Sequence, residues 1–265
     1  MALTGIQRER YSRQITLPGF GIRGQARLLN GRVLVIGAGG LGSPAGFYLA
    51  AAGVGTIGLV DFQKVSLSNL QRQIAHATKD IGRSKVKSAS VCFKALNPDV
   101  RIHEYKVRFT AENARSILAD YDFVLDCTDN FDSKFLIADA CHFARKPYSH
   151  AGIVGYEGQT MTVIPGKTAC YRCVFGAPPH EKATRRQGPV LGCVPAVIGS
   201  IQAAEAIKFL LGTGELLTNR LLVFDVLEMQ FRTVKLRRNG KCPLCGERKK
   251  YPLNTRKNAK ERTDS

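Results

Sequence analysis

Over roughly the first 150 residues, short apolar runs alternate with stretches whose apolar positions recur at helical spacing. "RVLVIG" (32–37) is apolar beyond its first residue, as a strand covered on both faces must be. "GLGSPAGFYLAAAG" (40–53) follows with small and apolar residues at helical spacing and a closing glycine. "TIGLVD" (56–61) supplies the next strand, so residues 32–61 predict one right-handed βαβ unit. Further on, "SKVKSASVCFKALN" (84–97) predicts a helix, "DVRIHEYKV" (99–107) an alternating strand, and "YDFVLDCTD" (121–129) a buried strand ending in acids. The pattern is that of a doubly wound, mainly parallel α/β sheet.

After Pro147 the pattern changes. Strands are expected at "GQTMTVI" (158–164), "RLLVFDV" (220–226) and "QFRTVKL" (230–236), with one strong helix, "GSIQAAEAIKFLLG" (199–212), between them. Short connections predict an antiparallel extension packed against the first sheet. "GAPPHEKATRRQGP" (176–189), rich in proline, glycine and charge, reads as a mobile loop because apolar patterning resumes directly after it. A chain of 265 residues suits one large core. One domain is expected over 1–246, with a nucleotide-binding half to about 150 and a second half over about 151–246. The tail "ERKKYPLNTRKNAKERTDS" (247–265) has few apolar residues and is expected to be disordered.

Composition narrows this only in places. No apolar run reaches the roughly 20 residues of a membrane span, and "MALTGIQRERYSRQ" lacks the apolar stretch of a secretory leader, so a cytoplasmic protein is expected. The formal charge of +18 favours acidic partners, whether protein or nucleic acid, and selects neither. Four of the eight cysteines form two C-x-x-C pairs, which in a chain of this length point to metal rather than disulfides.

The first candidate site is the turn "VIGAGGLG" (35–42), where Gly37, Gly39 and Gly42 fit G-x-G-x-x-G and Gly40 lies between them. Such a turn lets backbone N–H groups approach a phosphate at a helix N-terminus. Asp61, 19 residues beyond Gly42, stands at a strand end where it can accept hydrogen bonds from a ribose. A nicotinamide and an adenosine ligand share both features, and a merely tight strand-to-helix turn remains a third reading. "DFQKVSLSNLQRQ" then puts Asn69 and Arg72 three apart, on one face of a helical turn, and "IGRSKVKS" puts Lys85 at a helix start. A dehydrogenase has no need of these, whereas the outer phosphates of a triphosphate call for an Arg fork and a Lys. The alternative for Arg72 and Lys85 is a solvated charged face. In "LDCTDN" (125–130), Asp126 and Asp129 face the same crevice, where a carboxylate could hold magnesium or Asp129 could cap the following helix.

"CYRC" (Cys170, Cys173) and "CPLC" (Cys242, Cys245) supply four thiolates for a closed tetrahedral structural zinc site, with redox-active pairs as the alternative. Cys92, Cys127 and Cys141 sit in apolar patterns and read as core.

The chain resembles the ubiquitin-activating-like adenylyltransferases of the ThiF, MoeB and HesA type. "RYSRQITLPGFG", "VIGAGGLGS", "DFQKVSLSNLQRQ", "GRSKV", "DCTDN", "IGSIQAAEAIK" and "CPLCG" carry the resemblance along nearly the whole chain. It implies a Rossmann-like fold and ATP-dependent adenylation of the C-terminal glycine of a small ubiquitin-like sulfur carrier for thiamine or molybdopterin synthesis. In that reading Gly39 and Asp61 hold the nucleotide, Asn69, Arg72 and Lys85 the phosphates, and Asp129 the magnesium. Arg13, in "YSRQI", then matches the arginine that reaches the neighbouring subunit's ATP in a homodimer. Some members carry a cysteine in the mobile loop that takes over the activated carrier, and the corresponding position here is near Arg185. Cys193 lies later, beside Pro195, so a buried thiol is favoured over a nucleophile. With no rhodanese-like segment after Gly246, a separate sulfur-donor protein is expected. A tRNA threonylcarbamoyladenosine dehydratase-like enzyme, suggested by the charge but lacking the paired C-x-x-C motifs, and a non-catalytic nucleotide-binding scaffold are the alternatives.

Overall fold

The computed structural model describes residues 3–177 and 188–246. Three helices, α1 (Gly5–Arg10), α2 (Ser12–Ile15) and α3 (Gly21–Asn30), lead into β1 (Arg32–Ile36). There follow α4 (Gly42–Ala52), β2 (Thr56–Val60), α5 (Lys85–Leu96), β3 (Arg101–Tyr105), α6 (Ala111–Ala119), β4 (Phe123–Asp126) and α7 (Phe131–Phe143). The second half contributes β5 (Tyr148–Val154), β6 (Glu157–Val163), α8 (Tyr171–Phe175), α9 (Cys193–Leu211), β7 (Arg220–Asp225) and β8 (Gln230–Lys235).

All eight strands form one sheet in the order β3-β2-β1-β4-β5-β6-β7-β8. The first five run parallel, and β6, β7 and β8 continue it antiparallel. The expected doubly wound sheet is therefore present, but its antiparallel strands join it edge to edge rather than packing against it. The join is β5, which the sequence pattern did not single out: it pairs parallel with β4 on one side and antiparallel with β6 on the other. Consequently the sheet runs unbroken across residue 150.

Both faces are covered, which is why β1 and β2 carry apolar side chains on each. Val33, Val35, Ile57 and Leu59 pack into one core cluster with residues of α4, α5 and α9, while Leu34, Ile36 and Val124 face a second with residues of α6 and α7. α9 begins at Cys193, six residues before the helix expected from 199, because Pro195 lies in its first turn, where a missing N–H costs nothing. By length and hydropathy α9 could cross a membrane, yet half of it is buried within the protein. Its polar residues are used internally: Gln202 Nε2 donates to the carbonyls of Asp126 (3.1 Å) and Ser149 (3.0 Å), and Glu205 accepts from Thr162 Oγ1 (2.6 Å) and the Leu217 N–H (2.7 Å). These bonds lock α9 across β4, β5 and β6.

The order reverses between β1 and β4, so the chain leaves those strands in opposite directions and opens a crevice at their carboxyl ends. Of the mobile loop expected over 176–189, residues 178–187, Arg185 included, lie outside the described residues, as does the whole 247–265 tail.

Candidate active site

The glycine turn between β1 and α4 exists because two positions admit no side chain. Gly37 has φ of +103°, and a Cβ there would lie 2.6 Å from the Cys127 carbonyl oxygen. A Cβ on Gly42 would lie 1.9 Å from the Gly37 carbonyl oxygen, so α4 can start this close to β1 only with glycine. Gly39, by contrast, has nothing nearer than 3.5 Å to such a Cβ, leaving its backbone open to the crevice. Asp61 ties the turn to the end of β2, with Oδ2 accepting from the Ala38 N–H (3.0 Å) and Oδ1 from the Gln63 N–H (2.8 Å). His76 supports it from behind, Nε2 donating to the Ala38 carbonyl at 3.0 Å. Burial holds His76 below the usual imidazole range, keeping it neutral.

A cavity of about 590 Å³ occupies the crevice, and Gly37, Gly39, Gly40, Asp61, Arg72, Lys85 and Asp129 all line it. Lys85 is 4% exposed and donates from Nζ to Gln63 Oε1 at 2.8 Å. Burial pulls its ammonium below the usual range, opposed by the carboxylates of Asp61 and Asp129, which places two acids and a cation around one space. Arg72 is half-buried, with Nη1 donating to the Ser68 carbonyl (3.0 Å). Lys85 and Arg72 are thus built into the cavity wall rather than forming a solvated face.

Other predicted residues fall elsewhere. Asn69 does not line the cavity; its Oδ1 accepts from the Ser66 N–H (3.1 Å) and closes a 3₁₀ turn over Leu67–Asn69. Gly42 acts through packing, as above. Arg13 is exposed on α2, away from the cavity lining. The cap of α7 is Asn130, whose side chain accepts from the Ser133 N–H at 2.9 Å, so the capping role open to Asp129 belongs to its neighbour. Cys193, expected to be a buried thiol, is exposed: as the first residue of α9 it lies at the helix end, beyond the turn that Val194 and Pro195 bury. Cys127 and Cys141 are buried as expected, and Cys92 is partly buried against the core.

Sequence reasoning missed a buried cluster deeper in the cavity. Asp126, at the end of β4, accepts from Lys134 Nζ of α7 (3.3 Å), from His150 Nδ1 of β5 (3.0 Å) and from Thr128 Oγ1 (2.6 Å). Lys134 also donates to the Ala151 carbonyl. Burial works to raise the Asp126 carboxyl, but Lys134 and the donors around it hold it down at about 2. Burial likewise pushes His150 down to about 4, so its ring is neutral. No local signal announces the cluster, because its members come from three elements. At the other end, Phe62 beside Asp61 carries the Arg108 guanidinium 4.0 Å from its ring centroid, and both line the cavity.

The signs of these shifts set a pH window. His150 binds a proton less readily when folded than at its ordinary value of 6.5, so its contribution to stability is present above that value and is lost as pH falls towards 4. Asp126 contributes above its ordinary 3.8 and is lost as pH falls towards 2. Thermal unfolding should therefore show Tm falling from neutral pH to pH 4, with up to about 3 kcal/mol from His150. His150→Gln should flatten that slope, and an unchanged slope in the variant would contradict the assignment.

The four paired cysteines converge. Their Sγ atoms all lie within 4.8 Å of one another, with Cys170–Cys242 at 3.6 Å, Cys170–Cys173 at 3.7 Å and Cys173–Cys245 at 3.3 Å. These separations far exceed a disulfide bond. Four thiolates tetrahedrally arranged 2.3 Å from one zinc ion would lie about 3.8 Å apart, close to what is seen.

Fold and cavity together define a doubly wound α/β protein whose switch-point crevice is lined by a glycine turn, the cations Arg72 and Lys85, and the acids Asp61 and Asp129. The ThiF family matches residues 11–244, and the chain belongs to that family. It is 44% identical over 254 residues to a sulfur carrier protein adenylyltransferase of Thermus thermophilus, covering 93% of this chain and 94% of that one. It is also 44% identical over 249 residues to the SAMP-activating enzyme E1 of Haloferax volcanii, covering 93% and 92%. The adenylyltransferase and sulfurtransferase MOCS3 of Arabidopsis thaliana is again 44% identical, but this chain spans only about half of it (54%). Among solved structures, Escherichia coli MccB with MccA-N7isoASN superposes with a TM-score of 0.80 at 24% identity, covering 89% of this chain and 75% of that one, which establishes the fold.

Proposed function

We propose that this protein is an ATP-dependent adenylyltransferase that activates the C-terminal glycine of a small ubiquitin-like sulfur carrier. The observation that carries this reading is the gathering of the glycine turn, Asp61, Arg72, Lys85 and Asp129 on the walls of one cavity at the switch point. Names of relatives that span the same length, a sulfur carrier protein adenylyltransferase among them, support it.

The chemistry asks for position and charge rather than a general base, since a carrier carboxylate is already ionised near neutral pH. Asp61 and the glycine turn orient the nucleoside and its phosphates. The carrier carboxylate attacks the α-phosphorus, pyrophosphate leaves, and an acyl-adenylate is ready for a sulfur donor in thiamine or molybdopterin synthesis. Arg72 and Lys85 stabilise the charge that spreads over the phosphates. Asp129 offers the oxygen ligand that magnesium prefers, and the ion when bound neutralises phosphate charge. The cysteine quartet holds a structural zinc, having the donors and spacing but no open position for substrate.

Arg13, exposed and outside its own cavity, serves the second subunit's ATP in a homodimer. Mixing inactive Arg13→Ala with inactive Asp129→Ala protein should restore part of the activity, because mixed dimers hold one intact site; a mixture as inactive as its parts would exclude the shared site.

The reading as a whole is tested by pyrophosphate exchange. Label should enter ATP only when a ubiquitin-like protein ending in Gly-Gly is supplied, and adding tRNA should change nothing. Exchange driven by tRNA would instead favour the dehydratase-like alternative.

A further inference from the structure

His150 is the buried group the mechanism above leaves unused. Its side chain is 1% exposed, it lines the cavity, and its buried Nε2 has no hydrogen-bond partner among the described residues. Nδ1 is committed to Asp126 at 3.0 Å. Asp126 is itself fixed by Lys134 and Thr128, and an ionised carboxylate only accepts, so Nδ1 must carry the proton. The neutral ring then presents a lone pair at Nε2. Because Nδ1 points back to β4, Nε2 points away from that strand, on the side of β5 where Gly152 and Gln159 of β6 stand. A Cβ built on Gly152, the next residue on that face and itself a lining residue, would lie 3.8 Å from Nε2.

The surroundings make this acceptor selective. The rings of Tyr171 and Phe175 lie with centroids 4.6 and 5.6 Å from the His150 ring. For an atom this buried an unmade hydrogen bond costs about 1–3 kcal/mol, so a ligand that brings a donor is favoured here. ATP phosphates bring none. The nucleoside donors lie elsewhere, since Asp61 is at the end of β2, three strand spacings or roughly 14 Å from β5. What remains is the extended tail of the protein substrate, whose backbone offers N–H groups.

Resting on the carrier-activating reading above, the geometry points to His150 as the residue that receives that tail: Nε2 accepts a main-chain N–H of the carrier's last residues and so sets the terminal carboxylate facing the α-phosphate. Gly152 fits the same arrangement, since a Cβ there would press on Gln159 Nε2 at 3.3 Å and stand 3.8 Å from His150 Nε2, where the tail must pass.

The test compares wild type, His150→Phe and His150→Gln in pyrophosphate exchange, using a Gly-Gly-ending ubiquitin-like protein from the same organism. His150→Phe keeps a ring among Tyr171 and Phe175 but removes the acceptor. It should raise the carrier KM about tenfold while KM for ATP stays within about twofold. His150→Gln, whose Oε1 can stand near the Nε2 position, should recover most of the loss. A carrier KM unchanged in His150→Phe, or an equal rise in KM for ATP, overturns the inference while leaving adenylation intact. No exchange in wild type overturns both. A measurement independent of any variant uses histidine-labelled wild-type protein. The ¹⁵N resonance of His150 Nε2 should shift when carrier is added to protein already holding a non-hydrolysable ATP analogue, and not with the analogue alone; the reverse pattern rules the inference out.

Discussion

Asp129→Ala should reduce carrier-dependent pyrophosphate exchange by about 10³-fold, on the order of 4 kcal/mol of transition-state stabilisation, while Tm changes little. Two observations separate these effects. Asp129 lines the same cavity as Gly39 and Lys85 and acts on the Lys85 charge, so a carboxylate-held cation there would meet phosphate oxygens. The α7 cap, which an aspartate just before a helix often supplies, is made instead by Asn130. Removing the Asp129 carboxylate costs the long contact from Asn130 Nδ2 (3.4 Å) but leaves the capping bond from the Ser133 N–H to Asn130 Oδ1 (2.9 Å) in place. Asp129→Asn, with the same shape and no charge, should behave like the alanine variant, and raising magnesium should recover little activity in either. Exchange unaffected by Asp129→Ala would refute the magnesium role.

The second large effect concerns stability. Cys242→Ser should lower the zinc content from one per chain to near zero and reduce Tm by about 10 °C or more, because structural zinc binding is worth on the order of 10 kcal/mol and part of that is folding free energy. The reason is topological. Cys170 opens α8, which packs on α7, whereas Cys242 and Cys245 follow β8, whose outer strand position leaves it otherwise exposed. One ion would close a loop of 68 intervening residues and pin the end of the sheet to the α7–α8 layer. Cys193→Ser, at an exposed position outside the quartet, should retain zinc and Tm. Finding less than half a zinc per chain in wild-type protein purified without chelator would sink this part of the account.

The elements that could be read from sequence were those whose physics is local. β1 and β2 announced themselves because strands buried on both faces are apolar beyond their first residue, and the turn after β1 because Gly37 and Gly42 have no room for a Cβ. The cysteine quartet was legible because thiolate spacing is set by the ligand polyhedron rather than by the rest of the fold. Arg72, Lys85, Asp61 and Asp129 were singled out one by one, and the sheet topology brought them to one cavity.

What escaped was non-local. β5 reads "YSHAGIV", with Ser149, His150 and Gly152 where an apolar run would be expected, and Ser149 and His150 are buried with partners from other elements: Thr160 meets the Ser149 hydroxyl, Gln202 its carbonyl, and Asp126 the His150 Nδ1. The same reason hid Lys134, which looks like an ordinary surface lysine of α7 until Asp126 and the Ala151 carbonyl are placed beside it. Asn69 was read from its spacing to Arg72, yet its side chain is spent closing the turn that presents Arg72. Cys193 was misjudged because its neighbours Val194 and Pro195 are buried, and burial changes abruptly at the first residue of a helix.

Adenylation at this cavity joins a peptide carboxylate to the α-phosphorus of ATP, and intact mass analysis of a Gly-Gly-ending ubiquitin-like protein, incubated with ATP, magnesium and this protein, reads that bond itself. The carrier should gain one adenylyl group and pyrophosphate should appear in equal amount; a carrier of unchanged mass with release of ADP and orthophosphate rules adenylation out.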